Sequence, residues 1–114
     1  MKKTLIATIL MGGLAAFSLN AEEEKAMDLE AVKANWDRHC AKCHAEDGSA
    51  SNRLGERLKI MDYTDPESLA KFTDEELFTM TKDGVEGTKM RGYGSKLSDE
   101  EIHDLVKYMR AMSK

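Results

Sequence analysis

Two thiols and an imidazole fall within five consecutive residues, Cys40-Ala41-Lys42-Cys43-His44, and the chain of 114 residues contains no other cysteine. A structural zinc site would need four ligands, with a second Cys or His pair. Only His39, His44 and His103 are available, and no second pair exists. A redox C-x-x-C of the thioredoxin kind belongs in a βαβ setting, and the sequence has no strand pattern to supply one. A disulfide between Cys40 and Cys43 would close a tiny loop and stabilise little, because that gain grows with loop length. The histidine directly after the second cysteine selects another chemistry: C-x-x-C-H attaches haem covalently. Two thiols add across the two vinyl groups on one side of a porphyrin, and two intervening residues on a helical turn set the sulfurs that far apart. His44 then lies under the ring, within reach of iron.

Iron held by His44 has a second axial position. A methionine thioether there is the choice of electron-transfer cytochromes and raises the potential. Beyond residue 21 the chain offers Met27, Met61, Met80, Met90, Met109 and Met112. Met109 and Met112 belong to a C-terminal helix pattern, and Met80 follows Leu77 by three on another, so core packing accounts for all three. Met27 precedes the first helix. Met90 has the best setting, in a loop whose Gly87, Gly92 and Gly94 let backbone approach a ring closely. Met61, also in a loop, and an open site stay as alternatives. His39 and His103 read as solvated surface residues.

The elements that must position these groups are helical. Leu29, Val32 and Trp36 recur at helical spacing after a capping Asp28, and this helix runs into Cys40. Leu54 and Leu58 suit one inward-facing turn. Asp65-Pro66 reads as a cap and first-turn proline opening a short helix through Leu69. Thr73 to Glu76 and Ser98 to Glu101 are capping boxes, stapled by Phe72 with Leu77 and by Leu97 with Ile102. The first of these helices ends near Gly84. The second shows an apolar face of Ile102, Leu105, Val106 and Met109 and runs to about Met112. Long loops in so small a domain are functional or wrap around something, and three helices of this size offer a thin core that a flat apolar cofactor would complete.

Lys2 and Lys3, an apolar run from Leu5 to Phe17 and a short polar stretch ending at Ala21 read as a cleaved secretory signal peptide over residues 1–21. The run is shorter than the ~20 apolar residues of a spanning helix, so no stable membrane insertion is expected after cleavage. Residues 22–27 form a short acidic, mobile lead-in, and 28–114 form one domain. Cleavage removes two bases and no acid, leaving 15 basic and 21 acidic residues and a net charge of −6. That balance excludes nucleic acid as a partner, which needs a basic stripe, and disfavours an anionic membrane surface.

With these residues in place, the chain after residue 21 resembles the class I soluble cytochromes c. A helix runs into C-x-x-C-H, Trp36 stands four residues before Cys40 where that family has an aromatic, and a loop methionine precedes a closing helix through Leu105-Val106-Lys107-Tyr108. The resemblance implies an all-α cytochrome c fold, three main helices plus one short helix around one haem c. It carries the thioether positions to Cys40 and Cys43 and the iron ligands to His44 and Met90. It implies a monomeric, non-enzymatic carrier of single electrons in a bacterial periplasm, serving larger redox complexes such as a dehydrogenase, a cytochrome complex or a terminal oxidase. The rival reading is an open or labile sixth site that binds small ligands or reduces peroxide. Four departures stand out: Ala45 replaces the glycine common after the histidine, Arg91 the proline common after the methionine, and Val32 a helix-crossing glycine. The fourth is the lack, after His44, of a proline of the kind that often supplies the histidine's hydrogen-bond acceptor. Lys42, Lys89 and Arg91 are candidates for a basic docking rim.

Overall fold

Helix starts in this chain are written by side chains that take up orphan backbone N–H groups. The computed structural model describes residues 26–114, so the signal-peptide reading of 1–21 and most of the acidic lead-in lie outside the described residues. Asp28 caps α1 (Leu29–His39), accepting from Ala31 N–H at 3.2 Å. Asp65 caps the proline-led α4 (Pro66–Ala70). Thr73 with Glu76 and Ser98 with Glu101 form reciprocal capping boxes on α5 (Asp74–Asp83) and α6 (Asp99–Ala111). Two shorter elements complete the set: α2 (Ala41–His44) after a break at Cys40, and α3 (Arg53–Leu58), which contains the Leu54–Leu58 turn. The expected three main helices and one short one are α1, α5, α6 and α4. No strand forms among the described residues, only an isolated antiparallel bridge between Gly84 and Arg91.

α6 is the central element, packing on both α1 and α5. Its apolar face supplies Ile102, Leu105, Val106 and Met109 to a core completed by Val32, Trp36, Leu69, Leu77 and Leu97. Both staple pairs belong to this core or pack on it. Met27 also packs against it, half-buried. Met112 is half-buried on the same cluster. Arg110 fastens α6 to the middle of the chain: its guanidinium donates to Leu69 O at 2.8 Å, Phe72 O at 2.7 Å and the Asp74 carboxylate at 2.8 Å.

The segment leaving α2 carries a strained backbone. Ala45 has φ 72° and ψ 158°, a region that only glycine enters without strain. It is held there by three hydrogen bonds: its own N–H donates to Ala41 O at 2.8 Å, and its carbonyl accepts from the Trp36 indole N–H at 3.0 Å and from Gly48 N–H at 3.2 Å. The glycine of the family pattern therefore answers a backbone requirement that this chain meets with alanine. Gly55 is needed for a different reason. A side chain there would run into the Ala50 backbone, against which α3 lies.

Two outcomes follow from these observations. Ala45→Gly relieves the strained dihedral and should raise thermal stability by about 1 kcal/mol, or about 4–8 °C in melting temperature for a domain of this size. A calorimetric melt of the haem-loaded protein checks it. Glu101 has its pKa held below the usual carboxylate range, first by the Ser98 backbone N–H. The folded state thus binds its proton less readily than the unfolded state. The stabilisation is fully present above the unfolded carboxylate pKa and is lost as pH falls through the lower folded value. Glu101→Gln keeps a capping acceptor without the charge, so the acid side of its stability–pH curve should be flatter than wild type in a melt series.

Candidate functional site

The motif residues sit where α1 ends and α2 begins. Cys40 breaks the first helix, and its carbonyl accepts from Cys43 N–H at 3.2 Å and His44 N–H at 2.9 Å, so the next four residues turn back on it. This turn brings Cys40, Cys43 and His44 to the wall of one cavity of about 660 Å³, within the range of cofactor pockets. Distant parts of the chain contribute its other walls: Leu69, Leu77, Leu105 and Met109 from the core, Leu58 at the end of α3 with Lys59, Ile60 and Met61 after it, and Val85 and Gly87 to Arg91 from the loop after α5. Apolar side chains dominate the lining.

Both cysteines are free and half-buried. Burial, then the neighbouring Cys43, pushes the Cys40 thiol up to about 12. Redox C-x-x-C chemistry instead relies on a lowered thiol pKa. Burial also lowers the pKa of His44, which keeps its imidazole neutral and fit to ligate. The ring stacks on Tyr63 at 5.1 Å with 20° between planes and lies 5.8 Å from Trp36. Its Nδ1 is buried and has no hydrogen-bond partner among the described residues. Burial pushes the Tyr63 hydroxyl up to about 12 as well.

The loop bearing Met90 is tied at its base. Val85 N–H donates to Met90 O at 3.0 Å, and the Thr88 hydroxyl accepts from Met90 N–H at 3.1 Å while donating to Val85 O at 2.7 Å. Met90 is half-buried and faces the cavity wall; Met61 also borders the cavity but is 39% exposed. Met80, read as core from the sequence, is half-buried and borders the cavity too. Gly87 alone of the three loop glycines lines the cavity. Gly92 and Gly94 instead let the loop lie on the last turn of α5, against Lys82 and Asp83. His103 is exposed as expected, its ring stacked on Phe78 at 4.3 Å. His39 is not a fully solvated residue: it is half-buried at the cavity edge, 5.4 Å from Tyr93, whose hydroxyl donates to its carbonyl at 3.1 Å. Burial is the main cause of its lowered pKa.

Sequence reasoning missed Asn52, whose side chain bonds the Ala41 and Lys42 carbonyls and caps α3. An asparagine directly before a helical stretch is a capping signal, but its reach back to the motif has none. Lys59 was also missed; it is exposed at the cavity mouth with φ 57° and ψ 47°. Taken together, two unbridged thiols one turn apart, a neutral imidazole after them and a large apolar cavity in front of all three fit a haem. No group of three or more His, Cys, Asp or Glu side chains placed to hold a metal ion occurs among the described residues.

The pattern of the family described as cytochrome c oxidase, cbb3-type, subunit III matches residues 27–109. No curated protein matches the chain. Among solved structures, the KustC0563 c-type cytochrome superposes with a TM-score of 0.65 at 32% identity, covering 72% of this chain and 96% of its own. A tyrosine-to-phenylalanine mutant of Kustc0563 gives 0.63 at 30% identity, covering 72% and 98%. The family pattern spans nearly all of the described residues, and a protein named as a c-type cytochrome is matched over almost its whole length, so the chain belongs to the c-type cytochromes, in the family of cbb3-type subunit III.

Proposed function

We propose that this cytochrome carries one haem c on thioether bonds to Cys40 and Cys43, with His44 and Met90 as the axial ligands of its iron. In this reading it shuttles single electrons between larger redox complexes in the periplasm. The observation that carries it is the convergence of all four residues on one apolar cavity from two distant parts of the chain. When bound, the haem supplies a one-electron iron couple. The chain's own part is to hold the two axial groups still and to keep water from the ring. Leu69, Leu77, Leu105 and Met109 line the cavity with side chains that do not rearrange with charge, which favours transfer with little reorganisation. Met90 is favoured over Met61 because its backbone is tied at the loop base and its side chain is better buried.

Periplasmic placement rests on the signal-peptide pattern, and no helix among the described residues is long and apolar enough to cross a membrane. A role next to larger redox complexes agrees with a family named for an oxidase subunit. For docking, Lys59, Lys89 and Arg91 are exposed residues that line the cavity, and Lys42 is exposed on the attachment turn. None of the four is in an ion pair among the described residues. A cationic rim on an acidic protein would orient the cavity mouth toward an anionic partner face.

Two measurements test this reading. The reduced, haem-loaded protein should give a low-spin c-type optical spectrum that ignores carbon monoxide. Met90→Ala should make it respond to the gas and lower its potential, whereas Met61→Ala should do neither. A wild type that responds to the gas would favour the open-site reading instead. Neutralising Lys42, Lys89 and Arg91 together should slow association with an acidic redox partner by roughly 10-fold at low salt and flatten its salt dependence. Stopped-flow transfer rates across ionic strength read both, and unchanged rates would remove the rim.

A further inference from the structure

The attachment turn is a helix of four residues, too short to satisfy its own carbonyls. They are met from outside. Ala41 O accepts from Ala45 N–H at 2.8 Å and from the Asn52 amide at 3.2 Å; Lys42 O accepts from the same amide at 3.1 Å; His44 O accepts from Ala50 N–H at 2.9 Å. The Asn52 side-chain oxygen meanwhile accepts from Gly55 N–H at 2.8 Å. One half-buried carboxamide therefore couples the turn that bears the cysteines and His44 to the first turn of α3.

Two features give this coupling a bearing on His44. A metal-ligating histidine ordinarily donates its second ring N–H to an acceptor that fixes the ring, and here Nδ1 is buried with no partner among the described residues. The residue that follows, Ala45, holds a dihedral that relaxes if the turn is released. With no hydrogen bond on Nδ1 among the described residues, the imidazole is placed by its backbone and by the rings it rests on.

We propose that Asn52 is a positioning residue for the axial imidazole: by tying the Ala41 and Lys42 carbonyls to α3, it sets where His44 stands beneath the haem. This rests on reading His44 as an iron ligand. Tyr63 and Trp36 limit how far the ring can tip, while Asn52 fixes the helical turn from which it projects.

The test separates the two ends of the carboxamide. Asn52→Ser retains an acceptor for the α3 cap, but its shorter side chain withdraws the donor from the Ala41 and Lys42 carbonyls; Asn52→Ala loses both. Oxidised, haem-loaded wild type and both variants are compared by proton NMR of the haem methyl resonances, whose spread reports the orientation of the axial ligand planes. Melts and optical spectra are taken on the same samples. Both variants should alter the methyl pattern as expected for a ring displaced beyond about 10–20°, while the larger loss of stability falls on Asn52→Ala. A wild-type methyl pattern in Asn52→Ser overturns the proposal whatever its melting temperature. If Asn52→Ser fails to accumulate with haem while Asp65→Ala, which strips the cap of α4, does accumulate, the requirement lies in the attachment turn and the proposal stands. Equal failure of both overturns it as a general loss of fold. A wild type without a low-spin spectrum overturns the ligand assignment, and the proposal with it.

Discussion

The indole of Trp36 is the contact on which the other parts of the fold converge. It is 1% exposed and touches several parts of the fold at once. It belongs to α1, its ring lies 5.8 Å from Tyr108 on α6 and 6.5 Å from Tyr63 in the loop before α4, and it borders the cavity. Its one polar atom is spent on Ala45 O, the carbonyl that ends the attachment turn. A buried tryptophan N–H needs such a partner, and a strained residue needs an outside hold; each solves the other's difficulty. The same side chain thus sets the helix crossing and the exit from the haem-attachment motif.

A domain this small buries only a modest share of its surface, and here a large part of what its side chains could bury against is the cavity. Leu69, Leu77, Leu105 and Met109 belong to the core and also line the cavity. The apolar ring of a haem therefore completes the packing of these residues while their side chains exclude water from it. Binding and folding share the same surface. Surface ion pairs such as Lys33–Asp37 and Lys82–Asp99 add little to this, since exposed pairs are worth about 0–1 kcal/mol.

Much of this was legible in the sequence because the signals are local. Capping boxes at Thr73 and Ser98, the Asp65-Pro66 start and the Ile102 to Met109 face each depend on residues within a turn or two, and each became the expected element. The c-type cytochrome assignment came from five residues. What was not legible depends on the path of the chain between elements. The glycines of the Met90 loop read as a device for approaching a ring, yet Gly92 and Gly94 serve to seat the loop on α5. His39 read as solvated because nothing local shows that Tyr93, 54 residues later, closes over it. Nothing local marks the reach of Asn52, whose amide spans 11 and 10 residues to the motif.

The crossing of α1 with α6 joins the first and last helices of the described chain, and this has a consequence for the order of events during folding. Closing so long a loop is entropically slow, and until it closes Val32 and Trp36 have no α6 to pack on. The shorter connection between α5 and α6, each with its own capping box, can form earlier. For that interval the cavity lacks a wall, and the two thiols near the start of the domain are exposed to reagents and open to each other. The same late closure that completes the haem pocket therefore leaves a time window in which Cys40 and Cys43 must be kept reduced, and its length is set by topology.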